Sequence, residues 1–307
     1  MSHDYLCMLF TIHTMLSVLI PSYNHDCVVL VDELVRQIDE LGLDAEVVVV
    51  DDGSTDMGIL AENAGIESMD HCRYIVSPCN MGIARTRNKL LDEARGDMLL
   101  FLDSDVFPAR PDFLKLYVDA ASKADVVVGG IDYRRGKEAV ANPLRLRYGL
   151  RHEVKSARRR SRDPYEEFLS SSFLISRRVA DVVRFDETFD RYGHEDTLFG
   201  ASIQKARFSI EHIDDAVFHD NTDTSEQYLS KVRIAVQSLS MHADKLEGHS
   251  RLLAAYERVD ALRLSRLFCS FFRAFRAPME HNLLGRHPSL LILALYKLSY
   301  ICGVMRL

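Results

Sequence analysis

Three groups of carboxylates in this 307-residue chain have the types and spacing to do chemistry. Asp103 and Asp105 flank Ser104 directly after the apolar run Met98–Leu102. Hard divalent cations prefer carboxylate oxygen, and Mg2+ or Mn2+ commonly takes one or two protein carboxylates while substrate phosphates fill further positions. The pair therefore suits a metal-bridged diphosphate, provided the backbone bends so that both side chains share a direction; the competing reading is an acidic turn. Asp51 and Asp52 open the segment Asp51-Asp52-Gly53-Ser54-Thr55-Asp56, in which Gly and Ser form turns and Ser54 or Asp56 caps a helix. A turn needs only one of these acids, and the other could accept hydrogen bonds from a base ring N–H or from ribose hydroxyls. Glu195 and Asp196 follow Tyr192-Gly193-His194; as structure alone they are first-turn acids that complement a helix dipole.

Other polar groups stand nearby in the pattern. Arg85 and Arg87 suit a diphosphate or a carboxylate, or are solvated helix charges. His219 follows a strand, where a lone His is ordinarily packed or at the surface. Ser170-Ser171-Ser172 reads as the start of a strand, the alternative being an acceptor contact. Nine arginines crowd the segment from Arg134 to Arg162, which reads as a mobile loop with a short helix. Its guanidinium forks match phosphate oxygens, and the bland alternative is a solvated loop.

These groups need a scaffold, and the hydrophobic pattern supplies one. Short apolar runs at Leu16–Ile20, Ala45–Val50, Arg73–Val76, Met98–Leu102 and Asp125–Gly129 alternate with amphipathic stretches at Val28–Leu41, Ile83–Ala94 and Asp112–Lys123. This predicts an α/β fold with a largely parallel sheet covered by helices. A second block adds strands near Ser172–Ile175, Ser209–Ile213 and Ala216–His219 and a helix over Thr197–Lys205; beyond Thr224 the pattern is all helix. Ligands of open α/β sheets bind beyond the carboxyl ends of the strands. Ser22-Tyr23-Asn24, Asp51–Asp56, Asn80-Met81-Gly82 and Asp103-Ser104-Asp105 all fall at such ends.

With 47% apolar residues the chain is long enough for a sizeable core, and its net charge of −7 argues against a general nucleic-acid binder. The six cysteines are scattered without a C-x-x-C pair, which reads as reduced packing thiols in the cytosol. No P-loop or G-x-G-x-x-G is present, which weakens kinase and dehydrogenase readings. The apolar stretch Leu6–Ile12 is too short to span a bilayer, and residues 1–15 read as an extension before the first strand.

Taken in order, Leu19-Ile20-Pro21-Ser22-Tyr23-Asn24, Val49–Asp56, Asn80-x-Gly82 with Arg87-Asn88, Ala94-Arg95-Gly96-Asp97 and Phe101–Asp105 resemble glycosyltransferase family 2, the inverting GT-A enzymes. The likeness runs over about residues 16–220. It implies a GT-A nucleotide-sugar-binding sheet flanked by helices, with a catalytic domain at 16–222 (donor half 16–130, acceptor half 165–222) and a helical C-terminal extension at 223–307. By the same likeness Pro21, Tyr23 and Asp52 frame a nucleobase, most often uracil; Asn80 and Arg87 line the nucleotide pocket; Asp103 faces the ribose or sugar; and Asp105, with His219 as a second ligand, holds Mn2+ or Mg2+. Tyr192–Gly200 is similar to the Gly-x-Glu-Asp acceptor segment of such enzymes and of galactosyltransferase-type relatives, which makes Asp196 the general base and Glu195 an acceptor contact. An inverting transfer needs one such carboxylate and no covalent intermediate.

The expected activity is metal-dependent transfer of a sugar from a UDP-sugar to a hydroxyl of a glycan or lipid-linked acceptor in cell-surface polysaccharide synthesis. A nucleotidyltransferase would need a Gly-rich, Arg-containing loop where Ser22–Asp26 stands. A non-catalytic sugar- or partner-binding module with the same fold is the other alternative. From Arg251 onward nine basic residues face three acids, and Leu290–Tyr296 is an apolar run broken by Lys297. That tail reads either as an interfacial helix on an anionic leaflet or as a helix packed on the domain. The expected location is accordingly cytoplasmic, with peripheral contact at the inner membrane face.

Overall fold

The computed structural model describes residues 14–133, 142–220 and 223–306. The expected N-terminal extension lies almost wholly outside the described residues, as do residues 134–141 of the Arg-rich segment. Eight strands form one sheet: β1 Leu16–Ser22, β2 Ala45–Asp51, β3 Cys72–Val76, β4 Met98–Leu102, β5 Val106–Pro108, β6 Val126–Tyr133, β7 Ser172–Ser176 and β8 Ile210–His219, in the order β3-β2-β1-β4-β7-β6-β8-β5. The helices are α1 Val28–Leu41, α2 Met57–Asn63, α3 Ile83–Glu93, α4 Phe113–Ala121, α5 Pro143–His152, α6 Ala157–Arg160, α7 Arg177–Ala180, α8 Glu195–Lys205, α9 Ser225–Met241, α10 Ala243–Leu246, α11 Arg251–Ala261, α12 Ser265–Leu283 and α13 Leu290–Val304.

β1 and β2 are buried along their whole length, as parallel strands covered on both faces must be. One face packs Val18, Ile20 and Val47 on Leu30, Val31 and Leu34 of α1 and on Phe113 and Tyr117 of α4. The other packs Leu19, Val48 and Phe101 on Leu90 and Leu91 of α3 and on Phe199 and Ile203 of α8. Each such fully buried side chain contributes about 1.5–3 kcal/mol. On this second face Phe101 stacks on Phe173 at 4.8 Å between centroids, and Phe185 stacks on Phe199 at 4.1 Å. That aromatic layer joins α8 to the middle of the sheet.

Register decides which strand ends meet. Ser22 pairs with Asp51 where β1 and β2 end, and Leu19 pairs with Phe101 of β4. β7 is antiparallel to both β4 and β6, with Leu102 opposite Ser172. The short β5 pairs antiparallel with β8, setting Val106 opposite His219. The expected strands at Ser209–Ile213 and Ala216–His219 are a single strand, whose register on β6 shifts between Val128 and Gly130. Asp214 and Asp215 break the apolar pattern at this irregularity, between the pairs Val128–His212 and Gly130–Ala216, without ending the strand.

The C-terminal helices form a bundle against α5 and the turn before α8. Leu293 and Tyr296 of α13 pack with Leu229 and Val232 of α9 and with Met279 and Leu283 of α12, while Ile301 joins Phe189, Val236 and Leu253. The Tyr296 hydroxyl donates to Glu280 at 2.7 Å. α13 is therefore a packed helix, and among the described residues no helix is long and apolar enough to cross a membrane. Part of the Arg-rich segment is also structural. Arg160 is fully buried and donates to the carbonyls of Gly129 (2.6 Å) and Ile213 (2.7 Å); Arg145 pairs with Glu153 at 2.8 Å.

Candidate active site

The loops after β1, β2 and β3 are laced together by their own polar side chains. Asn24 adopts a left-handed backbone (φ 49°), and its side-chain oxygen accepts the N–H groups of Thr55 (2.8 Å) and Asp56 (3.0 Å). The two adjacent acids have separate employment. Asp51 accepts from the Ser54 N–H (2.7 Å), the Ser54 hydroxyl (2.6 Å) and the Tyr74 hydroxyl (3.1 Å). Asp52, buried, accepts from the N–H groups of Met81 (2.8 Å) and Gly82 (2.9 Å). The idea that a turn requires only one acid is thus corrected: two loops meet here and each takes one. Gly53 (φ 72°) closes the same seam, since a Cβ there would lie 2.4 Å from the Cys79 carbonyl carbon. This lacing brings buried Pro21, the exposed ring of Tyr23, Asp52 and exposed Asn80 to one edge of the sheet.

Arg87 lies at the centre of the site. On α3 it is fully buried, and one guanidinium nitrogen donates to Asp103 (2.8 Å) and to the Ser170 hydroxyl (2.9 Å) while another donates to Glu195 (3.2 Å). The guanidinium also sits 5.1 Å from the Phe185 ring centroid. A single cation thereby ties the acidic end of β4 to the first turn of α8. Burial pushes the Asp103 carboxyl above the usual range; Arg87 pulls it back and neighbouring Asp105 pushes it further up. Glu195 is raised by burial and by Asp196, against the pull of Arg87.

Asp105 stands beside His219, with Nε2 3.4 Å from the carboxylate. The β5–β8 register makes the meeting, and the Asp220 N–H donates to the Asp105 carbonyl at 2.8 Å. The His219 ring stacks on Tyr133 at 5.6 Å, and its buried Nδ1 has no partner among the described residues. No group of three or more metal-ligating side chains occurs among the described residues. One carboxylate oxygen and one imidazole nitrogen fit a Mn2+ or Mg2+ ion that takes its remaining ligands from phosphate and water.

The acid pair opening α8 is aimed by a strained turn. Gly193 (φ 103°) and His194 (φ 74°) both take left-handed backbone, and a Cβ on Gly193 would meet the Ala235 Cβ of α9 at 2.8 Å. The Gly193 carbonyl accepts from Ser238 of α9 at 3.1 Å. Asp196 Oδ1 accepts the Thr197 N–H at 2.6 Å, leaving Oδ2 without a hydrogen-bond partner among the described residues. Burial raises the Asp196 carboxyl, and the Thr197 N–H partly offsets it. Burial holds His194 down to about 4.

Of the residues singled out from the sequence, Arg87, Asp103, Glu195 and Asp196 meet in one cluster, Asp105 and His219 in an adjoining one, and Pro21, Tyr23, Asp52 and Asn80 along the strand ends. Asn24 and Tyr133 were not singled out for these roles. A single Asn in a loop and a Tyr at a strand end carry no spacing signal.

A mixed sheet of this order, with its acidic site at the strand ends and helices on both faces, is of the GT-A type. Residues 17–183 match the model of glycosyl transferase family 2, and the chain belongs to that family. It is 35% identical over 96 residues to an uncharacterized glycosyltransferase of Haemophilus influenzae, covering 31% of this chain and 38% of that protein. It is 27% identical over 194 residues to the uncharacterized glycosyltransferase YfnE of Bacillus subtilis, covering 58% of this chain and 47% of that one. The chain thus spans less than half the length of either relative. Its fold is similar to that of S. aureus TarS 1–349, also solved with UDP-GlcNAc, at 18% identity and a TM-score of 0.50 over 95% of this chain and 90% of that chain. The glucosyl-3-phosphoglycerate synthase of Mycobacterium tuberculosis, solved with Mn2+, UDP-glucose and phosphoglyceric acid, gives the same TM-score at 18% identity, over 76% of this chain and 79% of that chain.

Proposed function

We propose that this protein transfers a sugar, with inversion, from a UDP-sugar to a hydroxyl of a glycan or lipid-linked acceptor. The observation that carries the reading is the buried Arg87, bonded at once to Asp103 and to Glu195. It makes the β4 acids and the α8 acids two sides of one site, as a donor anchor and an acceptor base must be.

In this reading Pro21, Tyr23 and Asn80 border the nucleobase, and Asp52 contributes by holding the Met81–Gly82 backbone in place. Asp103, oriented by Arg87, faces the ribose or sugar. Asp105 and His219 would hold Mn2+ or Mg2+, which when bound neutralises charge on the diphosphate. Asp196 takes the proton of the acceptor hydroxyl through its open Oδ2, within the segment likened to Gly-x-Glu-Asp. The hydroxyl oxygen bonds to the anomeric carbon as the bond to UDP breaks on the opposite face, without a covalent intermediate. Residues 16–222 form the catalytic unit and 223–307 its helical accessory.

The test is a screen of UDP-sugars for protection against thermal unfolding, with Mn2+ or Mg2+ present or chelated. A donor at about 100 times its Kd adds about 2.7 kcal/mol to stability. At least one UDP-sugar protects the parent in a metal-dependent way, and Asp105→Ala loses most of that protection. Indifference of the parent to every nucleotide sugar, or an Asp105→Ala protein that behaves like the parent, contradicts the reading.

A lipid-linked acceptor and a place at the inner membrane face find support on α12. Leu267 and Phe275 are exposed on α12 and Leu264 at its N-terminal end, with Arg263, Arg266 and Arg273 exposed in the same stretch. An exposed segment that combines apolar and basic side chains suits the surface of an anionic bilayer. Vesicles containing phosphatidylglycerol are expected to float the parent at low salt, and a Leu267→Glu/Phe275→Glu protein is expected to stay in solution. Equal behaviour of the two proteins refutes membrane contact through α12.

A further inference from the structure

α13, whose apolar run Lys297 breaks, packs its Leu298 and Ile301 in one cluster with Leu198 from the first turn of α8. The Lys297 ammonium sits 5.2 Å from the centroid of the Tyr148 ring on α5, and Tyr148 packs against His152 at 4.8 Å. No carboxylate pairs with Lys297 among the described residues. Burial holds its amine below the usual range, with no acid opposing that effect. The same ammonium acts electrostatically on His194, which precedes the acid pair, and Tyr148 feels the charges of Asp196 and Arg251. Tyr148 in turn lies 6.4 Å from the Tyr228 ring of α9, on which Arg145 sits at 5.6 Å, and Arg145 also sits 5.1 Å from the Tyr133 ring that stacks on His219, so the Lys297–Tyr148 pair adjoins the site through one row of rings.

A half-buried ammonium without a counter-charge is destabilising, and a Met of similar length would fill the same space at no such cost. Unpaired charge in a catalytic cleft is characteristic of groups that meet a ligand. We propose that Lys297, backed by Tyr148 and His152, binds a phosphate or carboxylate on the acceptor and so presents a neighbouring hydroxyl to Asp196. The proposal rests on the assignment of Asp196 as the base, and it makes the C-terminal bundle part of the acceptor site.

The full-length protein, saturated with UDP and Mg2+ so that the donor side is filled, is titrated with inorganic phosphate and separately with acetate. Binding is followed by 31P NMR or by calorimetry, in the parent, Lys297→Met, Lys297→Arg and the distant surface variant Lys123→Met. One lost charge-assisted hydrogen bond corresponds to about a ten- to hundredfold loss of affinity. Lys297→Met shows that loss for the preferred anion, while Lys297→Arg and Lys123→Met stay close to the parent. UDP affinity is unchanged, and the unfolding midpoint of Lys297→Met equals or exceeds that of the parent. Preference for phosphate or for acetate assigns the acceptor's anionic group. Parent-like anion binding by Lys297→Met, absence of anion binding in a parent that binds UDP, or a lowered unfolding midpoint in Lys297→Met would overturn the proposal. Failure of the parent to bind UDP would instead strike the donor reading, and the anion comparison is read the same way without UDP.

Discussion

Replacing Asp196 by Asn lowers kcat about a thousandfold, the middle of the range for losing a general base, while UDP affinity stays within about threefold of the parent. The amide keeps the shape of the carboxylate and its oxygen still accepts the Thr197 N–H, so the first turn of α8 retains its geometry. What disappears is the capacity to take a proton. Asp196 is suited to that task because burial raises its carboxyl above the ordinary range, bringing its basicity closer to working pH. The parent rate is expected to fall on the acid side as this carboxyl becomes protonated. Steady-state kinetics with calorimetric UDP titration checks the prediction. A variant that loses UDP binding together with rate would place Asp196 on the donor side, and a variant with the parent's kcat would remove it from the chemistry. Glu195→Gln gives a useful contrast, because Glu195 is engaged by Arg87 and its neutralisation disturbs position more than proton transfer.

Arg87→Met destabilises the fold by about 3–5 kcal/mol, the cost of removing one partner from a buried charge pair. Two carboxylates, Asp103 and Glu195, lose their shared cation, and the Ser170 hydroxyl loses its donor. Met fills much of the volume beside Phe185, so the loss is electrostatic before it is steric. The pH dependence follows from the direction of the shifts. Both carboxyls have folded-state values raised above their unfolded ones, chiefly by burial. The native state therefore holds these protons more tightly than the unfolded chain, and stability from this source declines as pH rises through the folded values. Without Arg87 both values move further up, so the penalty is fullest in alkaline solution and shrinks as the carboxyls become protonated in acid. Urea unfolding at several pH values measures this. A loss under about 1 kcal/mol, or one that does not depend on pH, would mean that the bridge is weaker than a buried pair should be.

Much of the scaffold is legible in the sequence because its signals are local. The runs at β1, β2 and β4 are short and mostly apolar, β2 containing a run of four valines, and the bounds of α1 follow from a helical period closed by Gly42, which takes the left-handed cap at φ 60°. The three residues of β5 are too few to show a period, and α2 begins Met57-Gly58 without an apolar stripe. The direction of β7 could not be read from its burial, because an interior strand is apolar whichever way it runs. The same division holds in the candidate site. The positions of the acids beyond the strand ends follow from the alternation of strands and helices. Their partners do not, since Arg87 meets Glu195 across 108 residues and His219 meets Asp105 only through the β5–β8 register. The pairing of Asp51 and Asp52 with different loops was illegible for the same reason, as was the inward placement of Lys297 on α13.

The stereochemistry of transfer tests the central claim most directly, because a donor and a base on opposite sides of the anomeric carbon allow only one outcome. Methanol serves as a simple acceptor hydroxyl with the UDP-α-sugar that best protects the protein, and NMR identifies the anomer of the methyl glycoside, which does not interconvert. The arrangement of Asp103 and Asp105 against Asp196 predicts the β-glycoside. Formation of the α-glycoside would contradict it.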